Sequence, residues 1–179
     1  MENFQNEIAE LKKRIDNLER NQPKDKLSMI IFSGSLDKIL AALIVATGAS
    51  AMGTEVSMFF TFWGTTALRK KAKVKKNFIS KIFGAMLPTG SKDLKLSQMN
   101  LGGMGTAMMK KLMKKKNITS VEDLLEIAEE SEIKIFICEM SMNLMGMSPN
   151  EMIEYEHLEY SGVAKFLTEA DESKNILFI

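Results

Sequence analysis

One cysteine, one histidine, one tryptophan and three prolines occur among 179 residues, and these scarcities exclude several chemistries. A single cysteine, Cys138, cannot close an internal disulfide or run a dithiol cycle. One histidine, His157, and scattered carboxylates supply no metal-ligand spacing, so neither a metal nor a cofactor is expected. The glycine-bearing turns SGSLDK and LGGMG lack both the Walker lysine motif and a GxGxxG turn, which removes the common nucleotide fingerprints. The longest early apolar run, ILAALIVATGASAMG, is too short and too rich in small residues to span a membrane. The opening MENFQNEIAE is acidic and polar rather than basic and apolar, unlike a secretory leader. A reducing cytoplasm is the expected location.

What is present suits one globular domain with an added arm: 45% hydrophobic and 26% charged residues. The net charge of +1 hides an asymmetry, because residues 65–118 carry fourteen bases and one acid, Asp93, whereas 119–179 carry fourteen acids and three lysines. Such opposed fields steer a charged partner, pair subunits, or merely solvate two faces. The runs RKKAKVKK and KKLMKKK attract phosphates, but no aromatic residues are interleaved with the lysines, so no nucleic-acid partner is expected. Fifteen methionines form either a soft, adaptable surface or ordinary core filling.

Residues 1–22 read as a separate helical arm, an oligomerisation element or else a helix docked on its own domain. Phe4, Ile8, Leu11, Ile15 and Leu18 recur at intervals of four, three, four and three, a coiled-coil-like seam on an amphipathic helix. Pro23 ends it. From Lys26 onward strands alternate with helices. KLSMIIF, TEVSMFFTF, EIKIFI and NILFI read as strands. Helices are expected over ILAALIVATGASAM, TTALRKKAKVKK, MGTAMMKKLMKKKN, SVEDLLEIAEES and GVAKFLTEADES, with another opening at Pro149. Ser35 or Ser33 caps the first of these, and Ser120 with Asp123 has capping-box spacing. Strands apolar on both faces imply a three-layer α/β domain with a mostly parallel sheet.

Ligands of open parallel sheets bind beyond the carboxyl ends of the strands. Three segments converge there: SGSLD with Gly34 and Ser35, TFWG with Trp63 and Gly64, and CEMSMN, which contains Cys138, Glu139, Met140, Ser141, Met142 and Asn143. Cys138 ends its strand, so its thiol is expected to face a crevice, where the amides of residues 139–141 favour a thiolate. On these features alone, a lone cysteine after an apolar strand is more often a small buried hydrophobe than a reactive thiol. His157 is a weak candidate base, better placed on a surface helix.

The stretches FSGSLDKILAALIVATGASAMGTEVSMFFTFWG, LSQMNLGGMGTAMMKKLMKKKNITSVEDLLEIA, ICEMSMNLMGM and YSGVAKFLTEA resemble the DsrE/DsrF/DsrH-like family. The likeness is to its single-domain sulfur-carrier branch, often labelled peroxiredoxin-like, and runs over residues 26–179. It implies a flavodoxin-like fold, homo-oligomers, and sulfane sulfur carried as a persulfide on one cysteine. The family's C-x-M-S-M-D-x-M-G segment falls on Cys138, Met140, Ser141, Met142, Met145 and Gly146, with Asn143 at the usual aspartate. It also implies partners such as a TusA-like sulfur carrier or a rhodanese-type sulfurtransferase. A non-catalytic oligomeric adaptor and a one-cysteine thiol peroxidase with an external reductant fit the same residues.

Overall fold

The computed structural model describes residues 2–20, 23–72, 84 and 86–179. The arm is one helix, α1 (Glu2–Arg20). Among the described residues five strands form one parallel sheet: β1 (Lys24–Ile31), β2 (Glu55–Phe60), β3 (Lys134–Cys138), β4 (Leu158–Ser161) and β5 (Ser173–Phe178), in the order β4-β3-β2-β1-β5. The chain therefore steps outward from β1 to β4 and returns across the sheet to lay β5 beside β1. The α/β architecture expected from the alternating pattern is the one observed.

Strand alternation decides the two layers. Leu27, Met29 and Ile31 of β1, Val56, Met58 and Phe60 of β2, and Ile135 and Ile137 of β3 face a large apolar layer. Helix α2 (Leu36–Ala51) and α4 (Val121–Glu130) cover it through Ile39, Ala42, Leu43, Leu124 and Ala128. Phe60 is wholly buried there, so Phe60→Ala costs about 3–5 kcal/mol. Ser120 and Asp123 close the capping box of α4, each side chain meeting the other's amide at 3.1 and 3.3 Å. Helices α2 and α4 pack on each other, and α3 (Met104–Lys115), between them in chain order, buries only Thr106 and Met113 and leaves Met104, Met108 and Leu112 exposed beside its lysines.

The opposite layer is thinner. Among the described residues its cover is α6 (Val163–Asp171), which packs Phe166 and Ala170 on Phe59, Phe136 and Cys138. Toward the amino ends of the strands this layer turns polar. Ser28 Oγ lies 2.8 Å from Ser57 Oγ and 2.7 Å from Ser173 Oγ, and Ser173 donates to the Glu169 carbonyl. Lys26, 3% exposed, meets Glu169 at 2.6 Å. Buried ions demand such pairing, because an unpartnered charge in this layer costs several kcal/mol, on the order of 3–5.

Three local expectations change. The helix expected over 65–76 does not form in its described part: a 3-10 turn spans Phe62–Leu68, and residues 70–72 are irregular. Arg69 there bridges Met152 and is buried against Glu151 at 3.1 Å, which draws the chain into extended geometry; residues 73–76 lie outside the described residues. The segment after Ser148 makes only one 3-10 turn, Pro149–Glu151, with the Ser148 amide donating to Glu151. The edge strand β4 follows it and carries the fifth row of the sheet. The basic and acidic halves also pair internally, through Arg69–Glu151 and Lys70–Glu154.

Candidate functional site

The loops after β1 and β2 touch closely. A Cβ on Gly34 would stand 2.3 Å from the Trp63 carbonyl oxygen, and one on Gly64 2.2 Å from that of Ile31. Only glycine allows that approach, and the Gly64 amide uses it to donate to the Phe32 carbonyl at 2.9 Å. Gly34 is thus a packing residue. Ser33, Gly34, Ser35, Trp63, Thr66 and the 86–89 segment line a cleft of about 660 Å³ beyond these strand ends. Cys138 is not among its lining residues, so the cysteine segment does not share this cleft with the two loops as the three converging segments led one to expect.

Cys138 ends β3 and serves as the residue before α5 (Glu139–Leu144). Alternation turns its side chain away from the large core, into the thin layer beneath α6, where it is 4% exposed. It is a buried thiol rather than a crevice-facing one.

Its surroundings are nonetheless polar on one side. Thr61, just past β2, and Ser141 of α5 place their hydroxyl oxygens 2.9 Å apart beside the sulfur. Burial, the largest influence, raises the thiol's pKa. The polar influence of the Ser141 hydroxyl and amide, the Thr61 hydroxyl and the Met140 amide together outweighs it and holds Cys138 below the ordinary thiol value. The short turn of α5 supplies both amides because its first N–H groups have no intrahelical acceptor. This is a thiolate-favouring pocket closed by apolar neighbours.

A third hydroxyl flanks it. Ser161 is the register partner of Cys138 on β4, is 8% exposed, and has no hydrogen-bond partner for its Oγ among the described residues. Parallel register partners share a face, so Ser161 and Cys138 lie side by side. Such a buried hydroxyl normally finds a partner, and leaving it without one costs about 1–3 kcal/mol.

The expected lining residues of the cysteine segment separate by exposure. Ser141 and Met142 are buried, whereas Glu139, Met140 and Asn143 point outward. Met142, Met145 and Met147 fill the core; Met140, with Leu144, forms an exposed apolar rim on α5. His157 sits in a turn before β4, not on a helix, and its carbonyl accepts from Ile135 at 3.0 Å. That places it at the far end of the strand pair, about 10–13 Å from Cys138 by strand rise, too distant to serve as its base. Among the described residues no three His, Cys, Asp or Glu side chains gather to hold a metal ion, and no helix is long and apolar enough to cross a membrane.

Thr61 and Ser161 are the site residues that the sequence reading omits. Both stood inside quoted strand-end motifs, TFWG and YSGVAKF; the signal is their place at the carboxyl ends of the two strands that flank β3.

The sequence model of the DsrE/DsrF/DrsH-like family matches residues 23–178, leaving the arm outside it. An uncharacterised protein of Bacillus subtilis, YrkE, is 43% identical over 156 residues, which cover 86% of this chain and 96% of that one. The sulfur carrier protein DsrE2 of Allochromatium vinosum is 38% identical over 158 residues, 86% of this chain and 98% of its own. A solved structure, the ychN protein of Escherichia coli, is similar with a TM-score of 0.49 at 10% identity, over 86% of this chain and 98% of that one.

Proposed function

The chain belongs to the DsrE/DsrF/DrsH-like family, and on that premise we propose that it is a sulfur-relay protein carrying sulfane sulfur as a persulfide on Cys138. The observation that carries this reading is the polar half-shell around one thiol. Two amides and a linked pair of hydroxyls, of which one hydrogen joins Thr61 to Ser141 and the other is left for the sulfur, favour an anionic sulfur that burial alone would protonate.

The reaction is an exchange. The Cys138 thiolate attacks the outer sulfur of a donor persulfide, R–S–SH. The donor S–S bond breaks, RS⁻ leaves with the electron pair, and Cys138–S–SH forms. An acceptor thiolate later attacks that outer sulfur and releases the Cys138 thiolate. The Ser161 hydroxyl stands free to donate to the added atom. Access comes from movement of the six-residue helix α5, whose exposed Met140 and Leu144 offer a soft rim to a partner such as a TusA-like carrier or a rhodanese-type sulfurtransferase. The reducing cytoplasm suits such a thiol, and α1 serves as an oligomerisation arm.

The test is handover. Protein loaded by a low-molecular-weight persulfide, desalted and mixed with excess acceptor thiol should return to its unloaded mass while the acceptor gains persulfide. Loaded protein that keeps its sulfur under these conditions would refute the relay.

A second reading has one observation in its favour, the 4% exposure of Cys138. A non-catalytic oligomeric adaptor would keep that thiol as core. It predicts that alkylation of the native protein proceeds no faster than global unfolding.

A further inference from the structure

The apolar seam of α1 is left open. Phe4, Ile8, Leu11 and Ile15 are between 39% and 68% exposed, and a lone helix of this length is marginal in water. From its residues we infer that α1 pairs with α1 of a second copy as a parallel, in-register, two-stranded coiled coil. This rests on the self-association of the arm proposed above and adds its partner number, direction and register.

The heptad phase follows from the seam. Ile8 and Ile15 occupy a positions; Phe4 and Leu11 occupy d, and Leu18 is the next d in the sequence. β-branched isoleucine at a with leucine at d selects two parallel strands over three or four. The flanking positions then carry Glu7 and Arg14 at g, and Gln5 and Lys12 at e. In a parallel pair each g residue faces the e residue five places on in the other helix. Glu7 therefore faces the second copy's Lys12, and the same five-residue spacing joins Arg14 to Glu19. Every charged pair is of opposite sign, and two-fold symmetry makes each twice.

An antiparallel pair fares worse. It sets a layers against d layers, so five positions that begin and end on d cannot all be matched. The antiparallel register that retains Leu18 sets Lys12 against Lys12 and Arg14 against Arg14. Like charges at these sites are a specificity device against that arrangement. The family match begins at residue 23, so the pairing element is an addition to the shared domain.

Full-length chains decide the matter by mass in solution and by cross-linking. Ile8→Asp with Ile15→Asp should halve the mass of the assembly. An unchanged mass would overturn the self-association of the arm itself, and a fall to a third or a quarter would overturn two-strandedness. Orientation is read separately, in a Cys138→Ser background. Phe4→Cys should form a disulfide-linked dimer on mild oxidation, much faster than Asn6→Cys, which lies on the outer face. Glu7→Lys should weaken the assembly, and adding Lys12→Glu should restore it. If the seam variant halves the mass yet neither the Phe4 cross-link nor the charge-swap rescue is seen, the parallel register is wrong and the arm's role stands.

Discussion

Replacing Ser141 by alanine is the most informative perturbation of the thiol pocket. Ser141 is fully buried, its hydroxyl lies 2.9 Å from that of Thr61, and its hydroxyl and amide both lower the Cys138 pKa against the opposing effect of burial. Alanine retains the amide and deletes the hydroxyl. It also leaves Thr61 without its side-chain partner. A hydrogen bond to a charged acceptor contributes about 1.5–3 kcal/mol, and every 1.4 kcal/mol is roughly tenfold in an equilibrium. At neutral pH the thiolate population, and with it the initial rate of reaction with a small alkylating reagent, should fall by about tenfold or more. The native fold should persist, since losing one buried hydrogen bond costs about 1 kcal/mol, a fall in Tm of about 2–4 °C for a chain of this size. The assay is the pH dependence of Cys138 alkylation followed by mass, with Tm measured alongside. The direction matters: loss of a donor must move the alkylation profile to higher pH. A profile that stays in place, or moves to lower pH, in a folded Ser141→Ala protein would refute the claim that these donors hold the thiol down.

Three further outcomes follow from the rest of the fold. Glu169→Gln takes away the closest partner of buried Lys26, leaving Glu172 at 3.7 Å and Glu55 at 3.8 Å, and should cost about 1.5–3 kcal/mol in chemical denaturation, against less than about 1 for Glu154→Gln on the exposed Lys70 pair. The Glu169 carboxyl is raised by burial but lowered more by Lys26 and Lys165, to a net value below the ordinary 4.5. Its stabilisation is therefore complete above that value and lost as pH falls through the depressed one, so wild type should lose more stability on acidification than Glu169→Gln. Gly64→Ala puts a methyl 2.2 Å from the Ile31 carbonyl oxygen; the loops must separate, at about 1–3 kcal/mol, seen as a lowered denaturation midpoint.

The elements that the sequence revealed are those whose signal is local. β1, β2 and β3 carry apolar runs broken only by Ser28 and Ser57, and the capping box of α4 is written in two residues three apart. β4 escaped because it has four residues, lies at the sheet edge and carries the exposed Glu159 in its middle. The run TTALRKKAKVKK has helical composition, yet Arg69 finds a buried carboxylate on a distant segment, and tertiary pairing overrides propensity. At the site, Cys138 and Ser141 are three residues apart in one segment and were legible. Thr61 and Ser161 reach the thiol only through the parallel register of β2, β3 and β4, which no spacing along the chain encodes. The face of β3 on which the thiol lies was likewise hidden, because both faces of this strand are apolar.

Intact mass after brief exposure of the folded protein to a persulfide donor bears on the Cys138 proposal without intermediaries. Wild type should gain one sulfur atom per chain, removable by a reductant, and Cys138→Ser should gain none. Equal gain in both proteins, or none in wild type while its Cys138 still alkylates in the native state, would contradict it.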